Sequence, residues 1–138
     1  MSFDEDTKNR EYLYVSTIKS IDDAKEFCKE RQAILYEPKD SVITKKLVDH
    51  AKIMNKGFKS FWLGIHDEHK EGNFIYDSTN THVPSNIRDW DEGEPNNIPP
   101  FGSGGEDCVI VQKNGKWNDV SCSGHPVFHR SIVCQKGQ

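Results

Sequence analysis

The chain has 138 residues, a mass of 15.8 kDa and a formal net charge of −4, with its Lys and Arg residues spread along the sequence. Hydrophobic residues make up only 34%, so we expect one thin core of the kind that disulfides or metals reinforce. The acidic balance argues against nucleic acid as a partner. No apolar run approaches the roughly 20 residues of a membrane-spanning helix, so membrane insertion is not expected.

The N-terminal half predicts a strand followed by two helices. Residues 1–10 are polar, lack the apolar segment of a signal peptide, and are expected to form an extension before a single domain at 11–138. A strand is predicted at 11–15. Ser20 is a good N-cap for a helix from residue 21 to about 31, and residues 38–41 open a second helix that Gly57 ends. The predicted apolar stripe of this second helix consists of Ile43, Leu47, Ala51 and Met54.

The C-terminal half shows no helical periodicity. Short strands after two helices predict an α+β fold. Short strands are expected at 61–65, 74–76 and 131–134, and residues 77–107 show little periodicity. Asn114-Gly115 between two β-prone runs predicts a hairpin with a two-residue type I′ turn, in which Ile110 faces Asp119. A slight divergence at the end of that hairpin permits a bridge between Cys108 and Cys122, which leaves Cys28 with Cys134. Four reduced thiols are the alternative.

Oxygen-bearing side chains concentrate in the long irregular segment and in the returning hairpin strand. Calcium takes six to eight such oxygen ligands, whereas magnesium prefers a rigid octahedron and keeps its waters. Asp67 and Glu71 either form a second cation site or are turn residues. For the oxygen-bearing side chains as a group, the alternative is a hydrophilic loop with acidic residues on the surface. The main set consists of Asp89, Asp91, Glu92, Glu94, Asn96, Asn97, Glu106, Asp107, Asn118 and Asp119.

An ordered set of motifs extends between about Tyr12 and Cys134: Trp62-Leu63-Gly64-Ile65, Glu94-Pro95-Asn96, Gly105-Glu106-Asp107-Cys108, Trp117-Asn118-Asp119, Cys122 and Cys134. This ordered set resembles the carbohydrate-recognition domain of C-type lectins. The resemblance implies two helices, two small antiparallel sheets, a long calcium-binding loop, and disulfides Cys28–Cys134 and Cys108–Cys122. The additional N-terminal cysteine pair of long-form members is absent from this sequence.

The same resemblance implies two calcium sites and a sugar site built on the first of them. The sugar-binding calcium is expected on Glu94, Asn96, Glu106, Asn118 and Asp119. These five residues would also bind sugar, with Val120 and Phe101 as apolar contacts. A second calcium is expected on Asp67, Glu71, Asn97, Glu106 and Asp107, although Asn97 replaces the Asp of many members and removes one negative charge.

The order Glu94-Pro95-Asn96 resembles the type that binds mannose, fucose and N-acetylglucosamine. The long segment 97–105 with Phe101 resembles galactose-type members instead, and a sugar-independent protein ligand is a further alternative. A zinc hydrolase that uses His66, His69, His125 and His129 as ligands is disfavoured, because Pro126 argues against a helix around His125 and His129. We therefore expect a non-enzymatic, extracellular, secreted protein that binds glycans on microbial or cell surfaces, with homo-oligomers or tethering needed for avidity.

Overall fold

The computed structural model describes residues 4–5, 10–18, 20–67, 73–93, 108–122 and 130–137. These ranges contain two helices, α1 (Ile21–Glu30) and α2 (Ser41–Met54). They also contain eight strands: β1 (Asp4–Glu5), β2 (Arg10–Ile18), β3 (Ile34–Leu35), β4 (Ser60–His66), β5 (Ile75–Tyr76), β6 (Cys108–Gln112), β7 (Trp117–Val120) and β8 (Arg130–Gly137).

The strands form two antiparallel groups that meet at β8. In the first group, β2 pairs with β8 and carries β1 on its other edge, while β3 pairs with part of β8. In the second group, β6 lies between β4 and β7, and β5 pairs antiparallel with the end of β4. A parallel pair between Phe61 and Ser131 joins β4 to β8, so the whole sheet is mixed. The expected α+β architecture with two helices is confirmed.

Both helices begin where their capping residues predict. The Ser20 hydroxyl accepts from the Asp23 amide at 3.0 Å, and the Asp40 carboxylate accepts from the Val42 amide at 2.8 Å. Each bond satisfies one of the amides that a helix N-terminus leaves without a partner. The predicted stripe of α2 is wrong at Met54, which is 62% exposed. The helix ends there, and Phe58 of the following segment enters the core instead.

The core consists of two clusters, and each helix packs against one of them. The α2-side core takes Leu47, Val48 and Ala51 from α2 and joins them to aromatic and aliphatic residues of β4 and β6 and to Trp117. The α1-side core takes Ile21, Ala24 and Cys28 from α1. Successive residues of β6 and β7 therefore point alternately into one cluster and the other, as the period of a strand buried on both faces requires.

Both expected disulfides are present. Cys28 of α1 is bonded to Cys134 of β8, across 106 residues of sequence. Cys108 at the start of β6 is bonded to Cys122, two residues after β7, across 14 residues. The first bond fixes α1 against the sheet, and the second closes the end of the β6–β7 hairpin that lies away from its turn.

Neither helix in the described part of the chain has the length and apolar character needed to cross a membrane.

Candidate functional site

The β6–β7 hairpin differs by one residue from the predicted register. Cys108 pairs with Val120, Ile110 with Asn118, and Val111 with Trp117. The connection is a three-residue loop in which Gly115 alone has a positive φ, of 84°, so the type I′ prediction is wrong. One glycine in the left-handed region after a tight turn is the usual geometry of a three-residue hairpin loop. The correction places Asn118 on the α1-side face, beside Ile110, and Asp119 on the opposite face.

Three strand ends meet at Cys108. His66, the last residue of β4, pairs with Cys108 on one side, and Val120, the last residue of β7, pairs with it on the other. In sequence, Asp67 follows β4 directly, while Glu106 and Asp107 directly precede β6. The topology therefore assembles chain positions from three separate predicted ligand motifs at one end of the sheet.

The other edge of β7 is bordered by the segment that leads into the long loop. The Trp117 amide donates to the Asp89 carbonyl at 2.8 Å, and the Asp91 amide donates to the Trp117 carbonyl at 2.9 Å. The Trp90 ring packs against Trp117 in an edge-on arrangement with 5.6 Å between centroids. The described residues that precede and follow the segment 94–107 therefore flank opposite edges of β7.

Two of the acidic residues considered as ligands have structural partners instead. Asp89 forms an ion pair with Lys116 at 2.9 Å, and this hydrogen bond raises the pKa of the lysine. Asp91 accepts from its neighbour Glu92, from Gln112 at 2.9 Å and from Asn114 at 3.4 Å. These bonds, the Glu92 amide first, lower the pKa of Asp91. Both carboxylates hold the hairpin turn in place.

Asn118 and Asp119 provide the structural test of whether calcium fits this end of the sheet. The Oδ1 atom of Asn118 is buried and has no hydrogen-bond partner among the described residues. Asp119 next to it is fully buried. A buried amide oxygen without a donor is costly unless a ligand satisfies it, and calcium prefers such oxygens. Asp67 is also buried, at 2% exposure, and Val120 lies beside Cys108 at the strand end.

The described residues hold only part of the predicted ligand sets. Within them, no three His, Cys, Asp or Glu side chains lie close enough together to hold a metal. The remaining predicted site residues lie outside the described residues: Glu71, Glu94, Asn96, Asn97, Phe101, Glu106 and Asp107.

The histidines of the zinc alternative are not assembled in the described part of the chain. His66 Nδ1 lies 2.5 Å from an oxygen of Asp77, whose other oxygen is 3.5 Å from Lys25 Nζ. His69, His125 and His129 lie outside the described residues. The side chain of His66 is thus held by a carboxylate in this region.

Sequence reasoning missed the part that Trp90 plays in this region. Trp90 forms an isolated bridge with Trp117, 27 positions later, and its ring also packs on Phe74 at 4.9 Å. No periodicity links the two tryptophans along the chain. The only available signal was a large aromatic residue at the start of a polar segment.

Comparisons with known proteins agree with this geometry. The family model described as "Lectin C-type domain" matches residues 17–136. The chain is 32% identical to "Collectin-10" of Gallus gallus over 117 residues, which are 85% of this chain and 39% of that protein. The chain thus spans about two fifths of the length of the curated relatives it matches.

Two solved structures share the fold. The carbohydrate-recognition domain of the mouse scavenger receptor C-type lectin superposes with a TM-score of 0.82 at 23% identity, covering 99% of this chain and 95% of that one. The cow CD23 domain, determined in the presence of a GlcNAc2Man3 oligosaccharide, gives a TM-score of 0.79 at 26% identity, covering 99% and 94%. These likenesses show the fold, and the family model, which matches most of the chain, shows that the chain belongs to the C-type lectin domain family.

Proposed function

We propose that the chain is a non-enzymatic lectin domain that binds glycans of the mannose, fucose and N-acetylglucosamine type in a calcium-dependent manner. One observation carries the proposal: the ends of β4, β6 and β7 converge at Cys108, and the described residues on either side of the segment 94–107 flank opposite edges of β7. β7 itself presents the buried Asp119 and the buried Asn118 oxygen, which has no hydrogen-bond partner among the described residues.

In this proposal the sugar-binding calcium is held by carboxylate and amide oxygens from the long loop and from β7. When bound, calcium supplies open coordination positions that two neighbouring sugar hydroxyls can fill. The same side chains also bind the sugar directly. A carboxylate accepts a hydrogen bond from a sugar hydroxyl, and an amide NH₂ donates a hydrogen bond to the hydroxyl oxygen. The proposed ligands are Glu94, Asn96, Glu106, Asn118 and Asp119.

The different exposure of Asn118 and Asp119 suits this double task. Asn118 and Asp119 are consecutive and lie on opposite faces of the strand. Asn118 is partly exposed, whereas Asp119 is fully buried. In this assignment Asn118 binds both the ion and the sugar, and its amide NH₂ donates to the sugar. Asp119 chiefly binds the ion. Val120 would contact the apolar side of the sugar.

A second calcium is proposed on Asp67, Glu71, Asn97, Glu106 and Asp107. Its support is the pairing of His66 with Cys108, which places the end of β4 beside the start of β6. The burial of Asp67 agrees with a ligand role, since a carboxylate is rarely buried without a cation or donors near it.

The preference for mannose-type sugars is supported by Glu94-Pro95-Asn96 and by the likeness to the cow CD23 domain, determined with an oligosaccharide that contains mannose and N-acetylglucosamine. Phe101 supplies the competing argument for galactose, because an aromatic ring can pack on the apolar face of that sugar. Sugar-independent binding of a protein is the remaining alternative.

Isothermal titration calorimetry with mannose and with galactose, each in calcium and in EDTA, tests the proposal. We expect heat with mannose only in the presence of calcium. Heat with galactose alone would show that the domain prefers galactose and would favour the Phe101 segment as the determinant of that preference. Mannose binding that persists in EDTA would contradict the proposal.

A matched pair of variants tests the site itself. Asp119→Asn should abolish calcium-dependent binding, whereas Asp23→Asn removes an equal charge from the exposed first turn of α1 and should bind normally. Because Asp119 is buried, Asn118→Ala serves as a second site variant. Thermal unfolding in EDTA identifies any variant that fails to fold.

The setting proposed for this activity is extracellular. Two disulfides are typical of oxidising compartments, and calcium of the required concentration is found outside the cell. A site that contacts two hydroxyls is weak when alone, so binding to microbial or cell-surface glycans would need several domains acting together. We propose that homo-oligomers or tethering supply this avidity.

A further inference from the structure

A cleft of about 370 Å³ opens between α2 and the turn of the β6–β7 hairpin. Its walls come from α2, from Ile87 and Asp89, and from residues 113–117. The buried side chains of Val48 and Trp117 line its inner part, while Val42 is 59% exposed. The volume falls in the lower part of the range of about 300–1,000 Å³ that is usual for small-ligand sites.

The cleft is basic in an acidic protein. Four lysines and two aspartates line it, which gives the lining a net charge of +2, whereas the whole chain carries −4. Lys116 is paired with Asp89. Lys45, Lys52 and Lys113 are exposed, and none of them lies within 4.0 Å of a carboxylate in the described ranges. Three lysines thus face the cleft without an ion pair within those ranges, and Asp49 is the one further carboxylate among the described lining residues.

The spacing of these lysines selects the kind of anion. Lys45 and Lys52 are seven residues apart on α2, so they lie on one side of the helix and about 10 Å apart along its axis. Lys113 stands on the opposite wall. A linear molecule with repeated anionic groups can meet lysines that are spaced in this way along one wall and placed on the opposite wall as well.

The wall that carries Lys113 is held firmly. The Lys113 amide donates to the Lys59 carbonyl at 3.0 Å, and the Gly115 amide donates to the Gln112 carbonyl at 2.8 Å. Asp91 accepts from Gln112 and Asn114. A preformed wall lowers the entropic cost of ordering the cleft when a ligand binds.

We propose that this cleft binds a short segment of sulfated polysaccharide, without calcium, as a second ligand site. A planar anionic membrane cannot reach the inner part of a concave cleft. A nucleic-acid duplex needs a broad basic surface, which a chain of net charge −4 does not offer. A single saccharide chain with regularly spaced sulfates matches the three lysines of the lining. The site lies at the turn end of the hairpin, whereas the proposed calcium site lies at the Cys108 end.

The test is calorimetric titration with a heparin-derived octasaccharide in EDTA at low salt. The chain is expected to bind it, and the affinity is expected to fall as salt rises because counter-ions are released. The triple variant K45Q/K52Q/K113Q should bind about tenfold more weakly, since each exposed contact contributes a factor of a few. The control K29Q/K46Q/K56Q removes the same charge from exposed lysines that do not line the cleft and should change the affinity less than twofold.

Several results would overturn this assignment. Absence of binding in EDTA, or equal weakening by the two triple variants, would show that the cleft is not the site. A single-stranded oligonucleotide of matched charge that binds as tightly would remove the specificity for sulfated saccharide. Mannose titrated in calcium against K45Q/K52Q/K113Q keeps the two proposals apart, because that variant should retain any calcium-dependent sugar binding.

Discussion

Gly64 has less space for a side chain than Gly57, Gly93 or Gly115. A Cβ atom at this position would lie 2.9 Å from the Leu35 carbonyl oxygen and 3.0 Å from Cγ of Glu37. The Gly64 amide donates to the Tyr36 carbonyl at 2.7 Å, and its carbonyl accepts from the Asp77 amide at 2.9 Å. Only a residue without a side chain lets β4 lie directly against residues 35–37, so this glycine of the Trp-Leu-Gly-Ile motif has a packing role.

Replacing Gly64 by alanine should lower the free energy of unfolding by about 1–3 kcal/mol, because the new methyl group must displace backbone atoms. Gly57→Ala is the matched control, since its Cβ would meet only Asn55 Oδ1 at 3.5 Å. Urea denaturation of both variants measures the difference. Equal stability of the two would show that the backbone near Gly64 can yield.

Glu37 is a buried carboxyl group that holds a turn. It is 4% exposed, and its two oxygens accept from the Ser78 amide at 2.7 Å and from the Ser78 hydroxyl at 2.8 Å. Burial raises the pKa of Glu37 above its usual 4.5, and the bonds from Ser78 offset part of that rise. The folded protein therefore holds a proton here more tightly than the unfolded chain does.

The pH dependence of stability follows from that shift. Between the ordinary pKa of Glu37 and its raised value, the folded state keeps a proton that the unfolded state has lost, so this group makes the unfolding free energy fall as pH rises. In Glu37→Gln the new amide can still accept from the Ser78 amide and donate to the Ser78 hydroxyl.

Glu37→Gln should therefore remove this slope and leave the stability at pH 7 within about 1 kcal/mol. Glu37→Ala should cost about 2 kcal/mol, because the Ser78 amide loses its acceptor. Chemical denaturation between pH 4 and pH 7 checks both expectations. An unchanged slope in the glutamine variant would refute the link to Glu37.

At the scale of elements, local signals predicted the helices well and the hairpin less well. Ser20 and Asp40 act within three residues of themselves, so the chain alone reveals the starts of α1 and α2. The hairpin depends on whether one or two turn residues take a positive φ, and Asn-Gly is compatible with both. Gly115 alone does so, and the partners of every strand residue shift by one.

Other elements had no local signal at all. β3, Ile34–Leu35, is too short to show a period, and it exists because it pairs with Gln135 and Cys134 of β8. The bridge from Trp90 to Trp117 likewise depends on the packing of Trp90 against Phe74. Such pairings are decided by tertiary contacts, which one sequence does not display.

The two disulfides link elements over very different distances and should differ in their contribution to stability. In the chain-entropy treatment, a loop of about 100 residues contributes about 4.7 kcal/mol and one of about 15 residues about 3 kcal/mol. We expect C28A/C134A, which opens the 106-residue closure, to lose about 1.7 kcal/mol more than C108A/C122A does. Equilibrium denaturation of both variants in EDTA measures this, and the opposite order would show that strain or local packing dominates.

At the scale of the whole molecule, topology assembles what the sequence separates. Asp67, the pair Glu106-Asp107 and the pair Asn118-Asp119 are far apart along the chain, yet they adjoin strand ends that meet at Cys108. The sequence motifs predicted which residues to consider, but they could not show that Asp89 and Asp91 hold the hairpin turn instead. That distinction depends on which carboxylates find donors in the folded chain.

The Asn118 oxygen is buried without a hydrogen-bond partner in the described part of the chain, and Asp67 and Asp119 are buried too, so the stability of the fold should depend on calcium. A ligand that binds only the folded state at a hundred times its Kd adds about 2.7 kcal/mol. We therefore expect the Tm to rise when calcium is added and to fall in EDTA. Magnesium should have a smaller effect, because it keeps its waters and demands a rigid octahedron.

The variants locate that stabilisation. The rise in Tm should be lost in Asn118→Ala and Asp119→Asn and kept in Asp23→Asn, which leaves this end of the sheet unchanged. Differential scanning calorimetry over a range of calcium concentrations measures each case. If all four proteins gained equally from calcium, the ion would bind elsewhere, and the convergence of β4, β6 and β7 would then serve the packing of the domain rather than a metal site.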